Sequence, residues 1–160
     1  MVYIRYFIVG IVILIVQMVI APLIAIEGVT PDLMTIFIVY VALKNGQIPG
    51  TVAGFISGLL MDFLIDFVPG LSTLSKTVAG FVAGYFYGDA KVEINTETLR
   101  FSAITVFISA LDNFVYFLVD ILGNSFNNVA VFKLIIGKTV YTSILSLIPV
   151  FTTSKRTKLI

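Results

Sequence analysis

The sequence predicts an all-α membrane protein: a bundle of six transmembrane helices forming one integral membrane domain over residues 1–160. Three observations carry that prediction. Hydrophobic residues make up 59% of the 160 and charged ones only 12%, with a mean hydropathy of +1.09, far beyond the apolar share of ordinary soluble domains. Apolar segments of near-spanning length recur along the whole chain and leave no stretch for a separate soluble domain. Finally, TVAGFISG at 51–58 returns as TVAGFVAG at 77–84, which sets small residues where two membrane helices can press together.

The first apolar run, about residues 6–26, is too long for a signal-peptide core and lacks a small-residue cleavage site, so it reads as a retained span. The second, 32–44, is short but well marked. Thr30 offers an N-cap, Pro31 the first helical position and Asp32 an acid in the first turn, while Asn45-Gly46 supplies a stop. Pro69-Gly70 divides the third and fourth segments, 50–67 and 71–88. Gly123-Asn124-Ser125 and Asn127-Asn128 divide the fifth and sixth, 99–121 and 130–151. DAKVEINTETLR, 89–100, is the one sizeable polar loop. With both termini on the cytoplasmic side, Arg5, Lys44, Lys91, Arg100, Lys155, Arg156 and Lys158 fall inside, and Lys76, Lys133 and Lys138 elsewhere.

Cysteine and histidine are both absent, which removes disulfides, thiolate and imidazole metal sites and Ser-His-Asp catalysis. Net charge is +1 and no basic stripe forms, so no nucleic-acid partner is expected. No catalytic motif, metal site or cofactor site emerges, and the protein is expected not to be an enzyme. Its partners should be apolar helices and the lipid bilayer.

The repeated octapeptide belongs to two stripes at steps of four. One holds Gly50, Gly54, Gly58, Asp62 and Asp66, the other Ser72, Lys76, Gly80, Gly84 and Gly88. A hairpin pivoting on Pro69-Gly70 brings Gly50, Gly54 and Gly58 against Gly88, Gly84 and Gly80, with Asp62 facing Lys76 and Asp66 facing Ser72. Asp112 and Lys138 lie inside the fifth and sixth segments, each on the order of 12–14 Å from its outer helix end, and are expected to pair. With Asn113, the charges Asp62, Asp66, Lys76, Asp112 and Lys138 are candidates for lining a cavity open to the outer side, or for structural pairing inside the bundle.

Residues 31–86 resemble the core of the rod shape-determining protein MreD family. The resemblance rests on Pro31-Asp32-Leu33, the basic turn Lys44-Asn45-Gly46, the Gly-rich helix from Gly54 to Asp62, Pro69-Gly70-Leu71 and Gly84-Tyr85. It implies a non-enzymatic scaffold or regulatory subunit of the bacterial cell-elongation complex, in the inner (cytoplasmic) membrane. That subunit binds MreC and works alongside RodA, a class B penicillin-binding protein and, indirectly, MreB. It also implies a fold similar to the S components of energy-coupling factor transporters. The alternative reading is such an S component, capturing a vitamin through outer polar residues such as Asp66, Ser72, Ser75, Asp112, Asn113 and Tyr116.

Overall fold

The computed structural model describes residues 2–66, 69–123 and 128–148. Among them the chain forms seven α-helices: α1 (Val2–Leu23), α2 (Leu33–Asn45), α3 (Gln47–Met61), α4 (Leu71–Ala83), α5 (Val92–Glu97), α6 (Leu99–Gly123) and α7 (Asn128–Leu145). The class is the expected all-α membrane type, but the expected six spans are not all of spanning length among the described residues. Three helical stretches are long and apolar enough to cross a bilayer, Ile4–Leu23, Gln47–Ile65 and Leu99–Asp120, while Leu33–Asn45 and Ile135–Leu145 are shorter apolar helices. The polar loop at 89–100 also contains α5, which was not expected. Beyond residue 148 the sixth predicted segment lies outside the described residues.

The short second helix is explained by its position. Met34, Thr35, Phe37, Ile38, Val39, Val41, Ala42 and Leu43 are all buried, so α2 is enclosed on every side and needs no lipid-facing stripe. Its start is set by a re-entrant segment. The Gln17 side chain donates to the Pro31 carbonyl at 2.8 Å and accepts from the Leu33 N–H at 2.8 Å. Gln17 lies six residues before the end of α1, so α2 begins roughly 9 Å inside that end. Irregular backbone at membrane depth persists only where protein satisfies its polar groups, and here Gln17, Thr142 and Tyr141 do so. The Asp32 N–H donates to Thr142 Oγ1 at 2.9 Å, and the Tyr141 hydroxyl donates to the Ile24 carbonyl at 2.7 Å. Asp32 is itself the N-cap, its carboxylate accepting from the Thr35 N–H; it is not the first-turn acid the sequence suggested.

The most extensive helix pairing is α3 with α4, and glycines make it possible. A Cβ on Gly54 would lie 2.1 Å from the Lys76 carbonyl oxygen, one on Gly58 2.5 Å from that of Ser72, and one on Gly80 2.2 Å from that of Gly50. Gly84 meets the Gln47 backbone, and Gly50 also meets Ala42 of α2. Gly88 does not join this seam: its nearest neighbour is the Lys91 side chain, at 3.9 Å.

The register differs from the expected one. Gly50 faces Gly80 where Gly88 was expected, and Gly54 faces Lys76 and Thr77 where Gly84 was expected. The offset of eight residues slides the helices by roughly 12 Å. The cause is the connection. Beyond α3 the chain continues through a π-helical turn at Asp62–Asp66, so the reversal overhangs the start of α4 instead of pivoting symmetrically on Pro69-Gly70. A third layer joins α2, α4 and α6 through Val39, Ala42, Leu43, Ala79, Ala83, Phe101 and Ile108.

Candidate functional site

Four charges converge inside the bundle, at the level where α2 begins. Lys76 comes from the second turn of α4, Asp32 from the α2 cap, Asp112 from the middle of α6 and Lys138 from α7. The Lys76 ammonium donates to Asp32 Oδ2 at 2.7 Å, to Asp112 Oδ2 at 2.9 Å and to Thr35 Oγ1 at 3.1 Å. Thr35 in turn donates to Asp112 Oδ2 at 2.9 Å. Lys138 approaches Asp32 Oδ2 at 3.7 Å and stands 5.8 Å from the centre of the Tyr116 ring. Two carboxylates and two ammoniums balance, as burial of charge in a bilayer demands.

The cluster is graded in exposure. Side chains of Lys76, Asp32 and Asp112 are 3%, 1% and 4% exposed, whereas that of Lys138 is 31% exposed. Lys76 is therefore the enclosed hub and Lys138 the accessible rim. Asp112 Oδ1 is buried without a hydrogen-bond partner, an uncommon state for a carboxylate oxygen. Next to it, Asn113 Nδ2 donates to the Ser109 carbonyl at 2.9 Å and to Thr139 Oγ1 at 3.0 Å, tying α6 to α7. Hydrogen-bond donors and acceptors of both signs thus gather at this level of the bundle. Three of the four charged side chains satisfy one another inside the bundle, and Lys138 is the accessible member of the cluster.

Two expected ion pairs are corrected by this geometry. Asp62 does not meet Lys76. Its carboxylate accepts from the backbone N–H groups of Gly70, Ser72 and Thr73, at 2.9, 2.8 and 3.0 Å, and from the Thr73 hydroxyl. It thereby caps α4, whose own N-cap residue, Gly70, has no side chain to do so. Asp112 does not meet Lys138 either, because Lys76 occupies its carboxylate and Lys138 turns to Asp32. The shifted α3–α4 register is the reason: it carries Lys76 away from Asp62 and level with the start of α2. The side chain of Asp66 lies outside the described residues.

Sequence reasoning missed Asp32, Thr35, Gln17 and Thr142. Gln17 was detectable as the one amide in an otherwise apolar run from Phe7 to Leu23. Asp32 was noticed, but only as an acid in the first turn of α2, with the N-cap given to Thr30.

A family model described as ECF-type riboflavin transporter, S component, matches residues 4–155. No curated protein matches the chain, and no solved structure does. The match spans nearly the whole chain and overturns the expected membership of the MreD family. With it go the cell-shape scaffold role and the partners MreC, RodA, the class B penicillin-binding protein and MreB. The motifs behind that expectation have local physical causes. Pro31-Asp32-Leu33 caps α2, Gly54 and Gly58 admit the α4 backbone, and Asp62 caps α4. They specify a tight hairpin beside a capped helix, an architecture that does not fix the task performed.

Proposed function

The chain belongs to the family of ECF-type riboflavin transporter S components, and from that premise we propose that it is the solute-binding subunit of an energy-coupling factor transporter, with riboflavin or a closely similar flavin as its cargo. The observation that carries the reading is the match over residues 4–155. The polar cluster inside the bundle supports it. Lys138 and Tyr116 form the accessible rim where a flavin ring could stack and accept hydrogen bonds, and Asn113 and Asp112 lie one layer deeper. The protein works without catalysing a covalent step: it captures the solute in the bacterial cytoplasmic membrane and docks to a shared energising module. Both termini face the cytoplasm in this reading, with Arg5, Lys44, Lys91 and Arg100 on that side.

The test is to purify the chain from riboflavin-supplied cells, release bound small molecules by heating, and measure flavin fluorescence per chain. Titration of ligand-free protein with riboflavin, followed by fluorescence quenching, supplies the affinity. About one flavin per chain, with binding weakened at least tenfold by Lys138→Met, supports the proposal. A helical, monodisperse protein that neither retains nor takes up riboflavin overturns it.

A further inference from the structure

The polar stretch 89–100 has no part in solute capture, yet it helps to enclose a cavity. Where Gly46 ends α2, the chain leaving α4 packs against it: a Cβ on Gly46 would lie 3.5 Å from the Tyr87 ring. Between this segment, α5 and the first turns of α6 lies a cavity of about 550 Å³, within the roughly 300–1,000 Å³ of small-ligand sites. Its lining is of mixed charge. Lys91 and Arg100 are the cations and Asp89 the acid, with the rings of Tyr85 and Tyr87 beside them. The Lys91 side chain folds back over Gly88, its Cβ and Cδ 3.9 Å from where a Cβ there would stand. Asp89 accepts from the Tyr87 hydroxyl. Among the described residues Lys91 and Arg100 are in no ion pair; the salt bridges there are those of Lys76 and Lys138.

Asn95 points to a ligand. It lines the cavity yet is only 6% exposed. Its Nδ2 donates to the Phe86 carbonyl at 2.7 Å, which fixes the amide and leaves Oδ1 to accept, and no donor among the described residues meets that oxygen. A buried amide oxygen in this state calls for a donor from outside the chain. The cavity therefore offers two cations to an anion and, in Asp89, Asn95 Oδ1 and the tyrosine rings, a place for an ammonium with N–H groups to give. Residues 89–100 hold two cations, Lys91 and Arg100, against three acids, Asp89, Glu93 and Glu97, so a purely anionic ligand is opposed there while a zwitterion is matched at both ends. Depth selects a lipid. Arg100 stands in the first turn of Leu99–Asp120, a stretch long and apolar enough to cross a bilayer, and Ala103 and Ile104 line the cavity one turn further in. The rings of Phe86 and Phe107 meet at 6.1 Å and remain 39% and 53% exposed, continuing the apolar side of the cavity toward hydrocarbon.

We propose that this cavity binds the headgroup of one ethanolamine glycerophospholipid, with the phosphate at Lys91 and Arg100, the ammonium among Asp89, Asn95 Oδ1 and the tyrosine rings, and the acyl chains along Phe86 and Phe107. The lipid fastens the 89–100 segment to the start of α6. Its occupancy does not depend on which solute the charge cluster serves.

The test uses the full chain in detergent, with phosphatidylethanolamine, phosphatidylcholine or phosphatidylglycerol of identical acyl chains added and bound lipid counted by native mass spectrometry. An exposed ion pair is worth up to about fivefold in affinity. Phosphatidylethanolamine should therefore be retained about three- to fivefold over phosphatidylglycerol, which has no ammonium, and over phosphatidylcholine, whose ammonium has no N–H. Asp89→Asn should abolish the preference over phosphatidylglycerol, and Lys91→Gln with Arg100→Gln should weaken retention of all three on the order of 30-fold. In the unaltered protein, a phosphatidylethanolamine carrying a photoreactive acyl chain should label peptides containing residues 103–107, and glycerophosphoethanolamine, the same head without acyl chains, should fail to displace the lipid at equal concentration. Equal retention of the three lipids, undiminished retention by the folded Lys91→Gln/Arg100→Gln variant, labelling elsewhere, or displacement by the acyl-free head, which would make the cavity a site for a soluble phosphate ester, would each overturn the proposal.

Discussion

Replacing Lys76 by methionine keeps the volume and removes the charge that holds Asp32 and Asp112 together. In the wild-type protein the ammonium of the buried Lys76 serves both carboxylates at 2.7 and 2.9 Å. After substitution the only cation left to Asp32 is the more distant Lys138, at 3.7 Å, beside the Thr35 N–H it accepts from as N-cap, and Asp112 keeps the Thr35 hydroxyl. Leaving a buried charge without its partner costs about 3–5 kcal/mol. For a chain of this size, 1 kcal/mol moves the melting midpoint by about 2–4 °C, so Lys76→Met should melt roughly 6–20 °C lower. Adding Asp112→Asn restores neutrality, since Asp32 and Lys138 then balance. The double variant should recover about 1–3 kcal/mol relative to the sum of the single losses, the coupling expected of groups in one network. The assay is the helical circular dichroism signal on heating in a fixed detergent. A shift below about 2 °C for Lys76→Met, or strictly additive losses, would refute the assignment of Lys76 as hub.

Three further outcomes follow from the packing. Gly54→Ala pushes a methyl group into the Lys76 carbonyl oxygen and should cost about 1–3 kcal/mol or more as overpacking, whereas Gly88→Ala should melt like wild type; equal effects would contradict the seam. Asp62→Ala strips the cap from α4 and should cost about 2 kcal/mol, while Asp62→Asn retains an accepting oxygen and should lose less. Hydrogen exchange at the Ser72 and Thr73 amides reads this directly, and unchanged protection in Asp62→Ala would rule out the cap. Gln17→Leu orphans the Pro31 carbonyl and the Leu33 N–H and should destabilise by about 1–3 kcal/mol. Faster proteolysis within residues 24–32 is the accompanying sign, and wild-type resistance there would show that Gln17 does not pin the re-entrant segment.

The function proved harder to read than the architecture. Residues 31–86 carry capping and close-packing signals that any protein built on this hairpin would need, so resemblance through them pointed to the wrong family. The polar residues that the fold gathers come from α2, α4, α6 and α7. Asp32, Thr35, Asp112, Asn113 and Lys138 have no common spacing along the chain, and only their depth in the folded bundle makes them one site.

What the sequence determined by itself was whatever depends on neighbours along the chain. The apolar runs of near-spanning length point to a helical membrane protein because a helix satisfies its backbone polar groups within its own segment, as lipid requires. The Asn45-Gly46 stop and the four-residue glycine steps likewise announce themselves locally. Tertiary structure alone decided how far α3 slides past α4, and therefore that Lys76 serves Asp32 and Asp112 while Asp62 caps a helix. An eight-residue slide keeps small residues against backbone and preserves the four-residue periodicity, so the sequence pattern fits both registers almost equally. The choice between them rests on an overhanging turn, three backbone N–H groups seeking a carboxylate, and a buried ammonium held between two acids.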